Sequence, residues 1–572
     1  MRALVILAML VAIEAHAQHA IPFPTLVGDS ATRYRVYLDP AGNDANDGSR
    51  AAPVATYTGA IRRMKERTAL DTGRIGCAFR FLSGTYRLAE PFIQMAGDHR
   101  VVGTNGVRWL ELSFEGEGDV VLDAVDVKMP AGHGVITTSG SGIELVNLTV
   151  RRSDQFGIRL GTGSRRSTNV LVRNVTIDST YTHGILIGQD GSPLSDTTAV
   201  MNCRVLNTNT MNYRGSLGQF GSAVKLFGAS DVTVRGCWIG RNWGEAVCIN
   251  NSRRVLVEGV TIEDNWAPGV YCDVADSVMI RNNVLRSHKD TMMFPQGRRG
   301  MVGVLISTEA WTGSITEFRT RNIDIYNNVF INMAGCLDIW EGTVSFLQRQ
   351  ILENIRFAHN TCIGMWTTVG NTSVSFVNAV YSQPFPINRT IRNVVVANNI
   401  FSVDPAAILP TRWVRVPVEA RPAFTYKSNY WAASVMFIEA SNDNVVASWL
   451  PTTEPASLFP EVTTKLRGRV RALDGVTEDA RGLRRGPVET NVGAFEELVD
   501  VGVDEDNAKH AHLRIHLVTG PSLYLHPTPY ARLVDVFTFN GTLLFTRQLD
   551  PHTGHLLQLT DSRISIVRER PL

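Results

Sequence analysis

A short pattern of apolar and polar positions recurs about nine times between residues 143 and 405. Each copy consists of two β-type apolar runs that flank a polar or small pair. A third short strand follows most copies, as in GIRLG from 157, AVKLF from 223 and CLDIW from 336. Three strands per unit, each alternating with period two, predict a β-solenoid rather than a sandwich or a propeller. The nine copies are IELVNLTV from 143, VLVRNVTI from 170, TAVMNCRV from 198, VTVRGCWI from 232, VLVEGVTI from 255, VMIRNNVL from 278, IDIYNNVF from 323, IRFAHNTC from 355 and VVVANNIF from 394.

One position in each copy forms a column of turn residues. Successive members are 23 to 45 residues apart, which predicts a coil of about 23 residues lengthened by variable insertions. Asn suits this position because its amide can hydrogen-bond the same group in the next coil and because it tolerates a left-handed turn, whereas Gly permits positive φ. The turn column comprises Asn147, Asn174, Asn202, Gly236, Gly259, Asn282, Asn327, His359 and Asn398.

Length and charge agree with a solenoid and exclude one class of partner. The 572 residues exceed the limit of about 250–300 residues for one ordinary core, but a solenoid grows along its axis. The 56 Lys and Arg against 54 Asp and Glu leave no basic face, so we expect no nucleic-acid binding.

The first residues predict export. An apolar run from Ala3 to Ile13 precedes the triplet Ala15-His16-Ala17, and we interpret residues 1–17 as a secretory signal peptide. No later run reaches the roughly 18 apolar residues of a membrane helix. We therefore expect a secreted or cell-surface monomer without a membrane span.

The seven cysteines are odd in number and form no CxxC pair that would indicate zinc. Cys203 and Cys237 occupy equivalent positions in successive repeats, so a disulfide between them stays open. The favoured interpretation is that the cysteines are buried apolar thiols stacked in the core.

The aliphatic runs and the Asn-Asn turns resemble the right-handed parallel β-helix family, the pectin-lyase-like group. This resemblance implies an all-β fold, a right-handed parallel β-helix with an N-terminal capping helix. Residues 36–61 are similar to the family's opening segment, in which Thr56 or Thr58 can cap a helix that runs to about Ala69 and covers the open end. The stretches YKSNYWAA from 426 and LDGVTEDARGLRRGPVETNVGAFE from 473 resemble its closing segment.

We therefore expect an N-terminal cap with the first coils over 34–120, the β-helix over 121–405, a closing segment over 406–500 and a small β-sandwich over 510–572. The layout of the last part, with VDVFTFNGTLLFTRQL and a terminal RISIVRE, resembles the C-terminal sorting domain of the bacterial type IX secretion system. That resemblance implies the secretion machinery as a partner. The Asn-Pro pair usual near the start of that domain is absent, and an ordinary appended module stays open.

Chemistry is expected on the outward side of the third strand, because the apolar alternates must face the core. The long loops 206–222, 286–302 and 308–320 are expected beside this face, where insertions usually wall a groove. A groove with coils repeating every ~4.8 Å suits a linear sugar chain. One outward column comprises Arg159, Leu186, Lys225, Cys248, Tyr271, Leu305 and Asp338; a second comprises Gly161, Gly188, Phe227, Asn250, Asp273, Ser307 and Trp340.

The first functional hypothesis is a carbohydrate-active protein that binds an acidic polysaccharide and cleaves it by β-elimination. This reaction requires a base for the proton α to the uronate carboxyl and a cation to neutralise that carboxylate. Lys225 and Arg159 are the candidate bases, and Tyr271 or His183 could supply the acid. The resemblance implies calcium as a cofactor of such lyases, with Glu245, Asp273 and Asp338 as available oxygen ligands, although no run of acidic residues fixes a site. The substrate-binding candidates are Glu245, Asn250, Asp273, Trp311 and Trp340.

Two alternatives stay open. A glycoside hydrolase requires two carboxylates about 6.5–9.5 Å apart for inversion, and Asp273 and Asp338 lie two coils, or roughly 10 Å, apart. The Asp-rich clusters typical of polygalacturonase-like members are missing. Alternatively, the protein is a non-catalytic scaffold that binds glycan, because no complete catalytic constellation is evident from the sequence.

Overall fold

The structure is a computed structural model that divides the chain into two units, Met1–Glu496 and Glu497–Leu572. No helix in the described part of the chain is long and apolar enough to cross a membrane. The predicted signal peptide at 1–17 lies outside the described residues. These are 21–24, 34–69, 74–90, 92–96, 108–162, 166–189, 195–215, 221–295, 298–309, 317–340, 349–364, 366, 376–380, 389–402, 414–431, 445–446, 470–480, 485, 490–495, 514–518, 522–525, 532–538, 543–549, 555–558 and 565–571.

The larger unit is a parallel β-helix with two sheets. Sheet 1 has 24 strands and comprises two of the three strand positions in each coil. These two positions form one sheet because the long strands Arg74–Arg87 and Arg108–Asp123 run through both of them. Its strands are Tyr34–Leu38, Arg74–Arg87, Arg108–Asp123, Ser141–Val146, Thr149–Ser153, Thr168–Arg173, Thr176–Thr180, Ser195–Met201, Arg204–Leu206, Ala229–Arg235, Trp238–Gly240, Arg253–Glu258, Thr261–Glu263, Asp276–Arg281, Val284–Arg286, Glu317–Tyr326, Val329–Ile331, Arg349–Ala358, Thr361–Ile363, Arg389–Ala397, Ile400–Ser402, Phe424–Lys427, Tyr430–Trp431 and Val445–Val446.

Sheet 2 has 11 strands and forms the third position of the coil. Short 3-10 helices span Thr210–Gly215 and Arg421–Ala423. The strands of sheet 2 are Ile93–Ala96, Gly134–Ser139, Phe156–Leu160, Ile185–Gly188, Ser222–Phe227, Glu245–Asn250, Val270–Asp273, Val302–Ser307, Gly335–Trp340, Val377–Val380 and Val414–Arg415.

The smaller unit contains two antiparallel sheets. The first has four strands, Arg514–Val518, Arg532–Thr538, Leu543–Leu549 and Ser565–Pro571, and the second has two, Ser522–Leu525 and His555–Gln558. Their antiparallel pairing fits the predicted alternating strands. A sandwich and a secretion role for this unit stay predictions.

The turn column adopts the predicted backbone conformation. Its nine members have φ between 52° and 63°, in the left-handed region that Asn and Gly tolerate. Amide bonds between coils occur within this column, as from Asn174 Nδ2 to Asn147 Oδ1 at 3.1 Å. The continuous ladder, however, is formed by the following residue in the five C-terminal coils: Asn283, Asn328, Asn360, Asn399 and Asn429, joined by Nδ2 to Oδ1 distances of 2.9, 3.0, 3.1 and 2.9 Å.

The N-terminal end of the solenoid is closed by the predicted helix. It spans Tyr57–Arg67 and begins at Thr56, whose side chain accepts a hydrogen bond from the Gly59 amide at 3.0 Å. Tyr57 packs its ring against Phe79, which stacks on Phe114 at 5.1 Å. This apolar contact seals the first coils, where an uncovered parallel edge would otherwise pair with another chain.

A C-terminal strap, defined here as the described residues in 470–495, lies over the turn column. The Arg485 Nη2 donates to Asn327 Oδ1 at 2.8 Å, and Asn398 Nδ2 donates to the Arg471 carbonyl at 2.8 Å. Arg485 is buried, so the strap satisfies turn groups that would otherwise require water.

All seven cysteines are buried and free. Cys203 and Cys237 stack in successive coils, with the Cys203 amide donating to Cys237 Sγ at 3.4 Å. Six of the cysteines belong to the hydrophobic core, which confirms the interpretation for these six, whereas Cys248 lies in the outward column beside Lys225. The alternative of a Cys203–Cys237 disulfide is not realised.

Candidate functional site

The register of sheet 2 produces the two predicted outward columns. Val224, Val247 and Val270 face the core and are fully buried, which turns their neighbours outward. The first column pairs Arg159, Leu186, Lys225, Cys248, Tyr271, Leu305 and Asp338 in successive coils, and the second pairs Gly188, Phe227, Asn250, Asp273 and Ser307.

Five ionisable side chains on or beside this face lie close enough to influence one another's pKa: Lys225, Glu245, Tyr271, Asp273 and Glu309, which we name the carboxyl cluster. Asp273 is fully buried and lies at the end of its strand. Its Oδ2 accepts from Asn250 Nδ2 at 2.5 Å, and its Oδ1 accepts from the Glu309 backbone amide at 2.7 Å. The Glu245 carboxylate accepts a hydrogen bond from Ser222 Oγ at 2.8 Å.

All three carboxyl groups of the cluster hold protons more tightly than usual. Burial, followed by the charge of Glu309, raises the pKa of Asp273 to about 7. Burial raises the pKa of Glu245 to about 6 against the opposing effects of Lys225 and Ser222. The pKa of Glu309 is also raised by burial, although the Tyr271 hydroxyl and Lys225 oppose the rise. Carboxyl groups with such shifts are typical of sites that transfer protons near neutral pH.

Lys225 is a cation in this setting, which argues against its predicted role as a base. Its Nζ lies 3.1 Å from Cys248 Sγ. Burial alone would lower the pKa of Lys225, but Cys248 and the nearby carboxylates of Glu245 and Asp273 outweigh that effect and raise it. A general base must be deprotonated at the working pH, so Lys225 serves instead to balance the charge of the carboxyl cluster.

The two predicted acids are both held in their neutral forms. His183 Nδ1 accepts from the Ser222 amide at 2.8 Å, and burial with the charge of Lys225 lowers the pKa of His183 to about 3. Its Nε2 therefore carries the proton, and the ring is a neutral donor rather than an imidazolium acid. Burial, followed by the charge of Asp273, raises the pKa of Tyr271 far above its usual value, which leaves its hydroxyl a weak acid.

Arg159 and Asp338 lie in the same column as Lys225 but outside the carboxyl cluster. Arg159 Nη2 donates to Gln189 Oε1 at 2.6 Å, and its other nitrogens bond backbone carbonyls. Asp338 is buried in an ion pair with Arg299. Asp273 and Asp338, the predicted hydrolase pair, lie two coils apart, and Arg299 already neutralises Asp338. The two residues are therefore unsuited to act as a catalytic pair.

The predicted calcium ligands do not converge. Glu245 is bonded to Ser222, Asp273 to Asn250 and Asp338 to Arg299. Within the described part of the chain, no group of three or more His, Cys, Asp and Glu side chains is arranged to hold a metal ion.

The aromatic candidates differ in position. Trp340 ends the strand Gly335–Trp340 and is 40% exposed, so its ring is accessible for stacking on a sugar. The Asn250 side chain donates a hydrogen bond to Asp273, so its contact is with the carboxyl cluster. Trp311 lies outside the described residues.

Glu309 was missed by the sequence analysis, although a signal for it was present. It lies two residues beyond the strand Val302–Ser307, and Leu305, Ser307 and Glu309 continue the same outward alternation. The third-strand pattern of the other coils ends at the position of Ser307 and predicts no outward residue beyond it.

The family comparison agrees with this geometry. Residues 133–351 match the family model described as the right handed beta helix region. The chain folds as a right-handed β-helix. A search of the curated proteins finds no match.

Solved structures with this β-helix fold differ in what they do. A pectate lyase, Pel9A, is 15% identical with a TM-score of 0.40 and covers 82% of this chain and 98% of its own. PfbA, a surface adhesin of Streptococcus pneumoniae, is 13% identical with a TM-score of 0.45 and covers 71% and 93%. An alginate lyase from Paenibacillus sp. is 12% identical with a TM-score of 0.37 and covers 68% and 100%. Likeness at this level assigns no activity to the present β-helix.

Proposed function

We propose that this β-helix protein is a carbohydrate-active enzyme that hydrolyses glycosidic bonds of a polysaccharide, with Asp273 and Glu309 as its working pair. The observation that carries the proposal is the contact of these residues, in which the Glu309 amide donates to the Asp273 carboxyl at 2.7 Å. That contact is made by the Glu309 backbone, and the Glu309 carboxylate is near enough for its charge to raise the pKa of Asp273. Glycoside hydrolysis uses such a pair of carboxyl groups.

The environments of the two groups suggest their roles. Asp273, with its pKa raised to about 7, keeps its proton near neutral pH and is suited to protonate the leaving glycosidic oxygen. Because Glu309 is half-buried whereas Asp273 is fully buried, water stabilises the charged form of Glu309 better, and we assign Glu309 as the group that ionises first. It then acts either as the base for water or as the nucleophile.

The supporting residues keep this division of roles in place. Lys225 limits the rise in pKa of both carboxyl groups, and Asn250 orients Asp273 through a bond of 2.5 Å. Glu309 and Lys225 are half-buried, whereas Asp273 is fully buried. Substrate therefore reaches Asp273 past Glu309. Its binding displaces water from the site, which strengthens the electrostatic interactions there.

β-Elimination is less well supported at the same residues. It requires a cation for the uronate carboxylate and a deprotonated base, but Lys225 is already shared among three carboxyl groups. At neutral pH the carboxyl cluster carries more negative than positive charge once Glu309 and Glu245 ionise, so it repels a uronate at the bond to be cleaved.

Export and a polysaccharide partner belong to the same proposal. They are motivated by the apolar N-terminal run of residues 1–17 and by the outward columns of sheet 2. The enzyme would then act outside the cell or at its surface, where polymers too large to be imported are degraded.

The test is an assay of the purified protein on neutral and uronate-containing polysaccharides, with reducing ends and the absorbance of unsaturated uronate both recorded. We expect new reducing ends without that absorbance. Asp273→Asn and Glu309→Gln should each lower the rate by about 10³-fold, while Glu258→Gln, which alters a carboxylate of sheet 1, should leave it unchanged. An unsaturated product, or full activity of Asp273→Asn, contradicts hydrolysis by this pair. Binding without cleavage on the whole panel would favour the non-catalytic scaffold.

A further inference from the structure

Arg159 on sheet 2 is held by three neutral hydrogen-bond acceptors. Its Nε donates to the Gly161 carbonyl at 3.1 Å, its Nη1 to the Gly132 carbonyl and its Nη2 to Gln189 Oε1 at 2.6 Å. No carboxylate forms an ion pair with it among the described residues. Three neutral acceptors thus hold the guanidinium in place, and no ion pair within the described part of the chain neutralises its charge.

The surroundings of Arg159 are consistent with a positive local field. Burial lowers the pKa of His133, and the charge of Arg159 lowers it further. Arg159 also contributes to the low pKa of His183, after burial and Lys225. Both imidazoles are neutral near pH 7, so the half-buried Arg159 supplies the positive charge at this end of the outward column.

The distance from the carboxyl cluster makes this a separate location. Arg159 pairs with Leu186, which pairs with Lys225, so two coil steps, or about 10 Å, separate the Cα atoms of Arg159 and Lys225. Two further steps lead to Tyr271, about 19 Å from Arg159. The outward face of sheet 2 therefore has a positive end and an acidic centre along one axis.

We infer that Arg159 forms a subsite for an anionic substituent, a carboxylate or a sulfate, on a sugar several units from the bond that the carboxyl cluster cleaves. The inference rests on the proposed function for the identity of the ligand as a polysaccharide. A guanidinium already oriented by three neutral acceptors loses little freedom when it binds, and it presents its remaining N–H groups to a planar or tetrahedral anion. The substrate is then a chain that is uncharged at the acidic centre and acidic at the Arg159 end.

This arrangement reconciles two opposing features of the surface. The predicted acidic polysaccharide would be repelled at Asp273 and Glu309, but it is accepted where the charge of Arg159 is unopposed. A chain with alternating or sparse acidic sugars satisfies both ends at once, whereas a uniform polyuronate places a carboxylate against the carboxyl cluster.

The test is calorimetric titration of the full chain with three probes of similar length: an unsulfated chondroitin oligosaccharide, in which every second sugar carries a carboxylate, the corresponding chondroitin sulfate oligosaccharide and a neutral xylo-oligosaccharide. Arg159→Met should weaken the binding of at least one acidic probe about 10- to 100-fold and leave the neutral probe unchanged. The difference in affinity between Arg159→Met and the wild type should shrink as the salt concentration is raised from about 20 to about 200 mM, because added ions screen a charge interaction. The two acidic probes separate a carboxylate from a sulfate as the preferred group.

Arg204→Met is the matched control, since Arg204 carries the same charge on sheet 1, over the ring of Trp238 at 4.7 Å. Arg159→Lys keeps the charge without the fork and should lose less affinity than Arg159→Met. Equal affinity of Arg159→Met and wild type for the acidic probes, an equal loss in Arg204→Met, or no binding of either acidic probe would overturn the subsite. If Arg159→Met still hydrolyses polysaccharide and binds the acidic probes as the wild type does, only the subsite is refuted. If Arg159→Met weakens binding but the wild type cleaves no polysaccharide, only the proposed hydrolysis is refuted.

Discussion

Two aspartates on the two outward faces of this solenoid, Asp231 on sheet 1 and Asp273 on sheet 2, have pKa values shifted in opposite directions. On sheet 1, the hydrogen bond from Arg254 is the main reason why the pKa of Asp231 is lowered, and Arg254 Nε lies 2.7 Å from Asp231 Oδ1. On sheet 2, burial and the charge of Glu309 raise the pKa of Asp273. Both residues lie in parallel strands of the same solenoid, two coils apart, so the direction of the pKa shift is set by the partner and not by the fold.

The difference shows how a repeated backbone can carry both structure and chemistry. Ion pairs on sheet 1 link neighbouring coils, as when Glu258 binds Arg235 at 2.5 Å and Arg281 at 2.7 Å. Such partly exposed pairs contribute little individually. The carboxyl cluster of sheet 2 has one lysine for three carboxyl groups, an arrangement that costs stability and is usual where proton transfer is needed.

The largest expected effect is on stability. The folded-state pKa of Asp273, about 7, lies above its usual 3.8, so its contribution to stability falls as pH rises from about 4 to 7 and stays low above that. Asp273→Asn should therefore raise the free energy of unfolding by about 2–4 kcal/mol at pH 8 and by much less at pH 4.5. Thermal unfolding midpoints at the two pH values provide the measurement.

Asp231→Asn is the matched change on sheet 1 and should have the opposite sign, a loss of about 1 kcal/mol at pH 8. If both variants destabilise the protein equally at pH 8, the proposed contrast between the faces is wrong.

The next effect concerns the rate of hydrolysis. Because the acid must be protonated, the rate should fall about tenfold per pH unit above the pKa of Asp273, and so about 100-fold between pH 7 and 9. Initial rates across this range provide the check, with Asp231→Asn as the control that keeps the same profile. A rate that keeps rising to pH 9 would exclude Asp273 as the acid.

Lys225→Met should move that alkaline limb. Lys225 lowers the pKa of Asp273, so its removal should shift the limb upward by about one pH unit. Lys225→Arg keeps the charge and should show a smaller shift, which separates the electrostatic effect from a loss of packing. A downward shift in Lys225→Met would mean that the acid is not next to Lys225.

The smallest effect is expected on sheet 1. Arg235→Met removes one of the two arginines of Glu258 and should cost about 0.5 kcal/mol, with less loss in 1 M salt. The thermal midpoint at low and high salt measures this change. A loss of several kcal/mol would mean that the ion pairs of sheet 1 are as consequential as the carboxyl cluster.

Much of the fold could be predicted because it depends on local pattern. The turn column was found from Asn, Gly and His spacing alone, and its nine positive φ values confirm it. The inward valines of sheet 2 and the cap at Thr56 follow from alternation and from helix-start chemistry in the same way. The ladder from Asn283 to Asn429 was less evident, because the same Asn-Asn pairs also supply the turn column and the sequence does not say which member points inward.

The site was only partly predictable because its properties depend on contacts between coils. The outward position of Lys225 and Asp273 followed from parity, but the charge state of Lys225 depends on carboxylates from other coils. The pairing of Asp338 with Arg299 depends on the path of an insertion. Sequence spacing does not specify that path, and Asp338 was therefore given a role that its ion pair opposes.

The asparagine ladder has a consequence for how such a protein can change over time. Asn283 and Asn328 are separated by 45 residues of sequence, whereas Asn399 and Asn429 are separated by 30, yet both pairs are joined by side-chain bonds of 2.9 Å. The hydrogen bonds of the ladder therefore depend on the spacing of the coils and not on the number of residues between them. A loop between two coils can be lengthened, shortened or exchanged while the asparagine ladder stays in register, so the loops can change without rebuilding the scaffold.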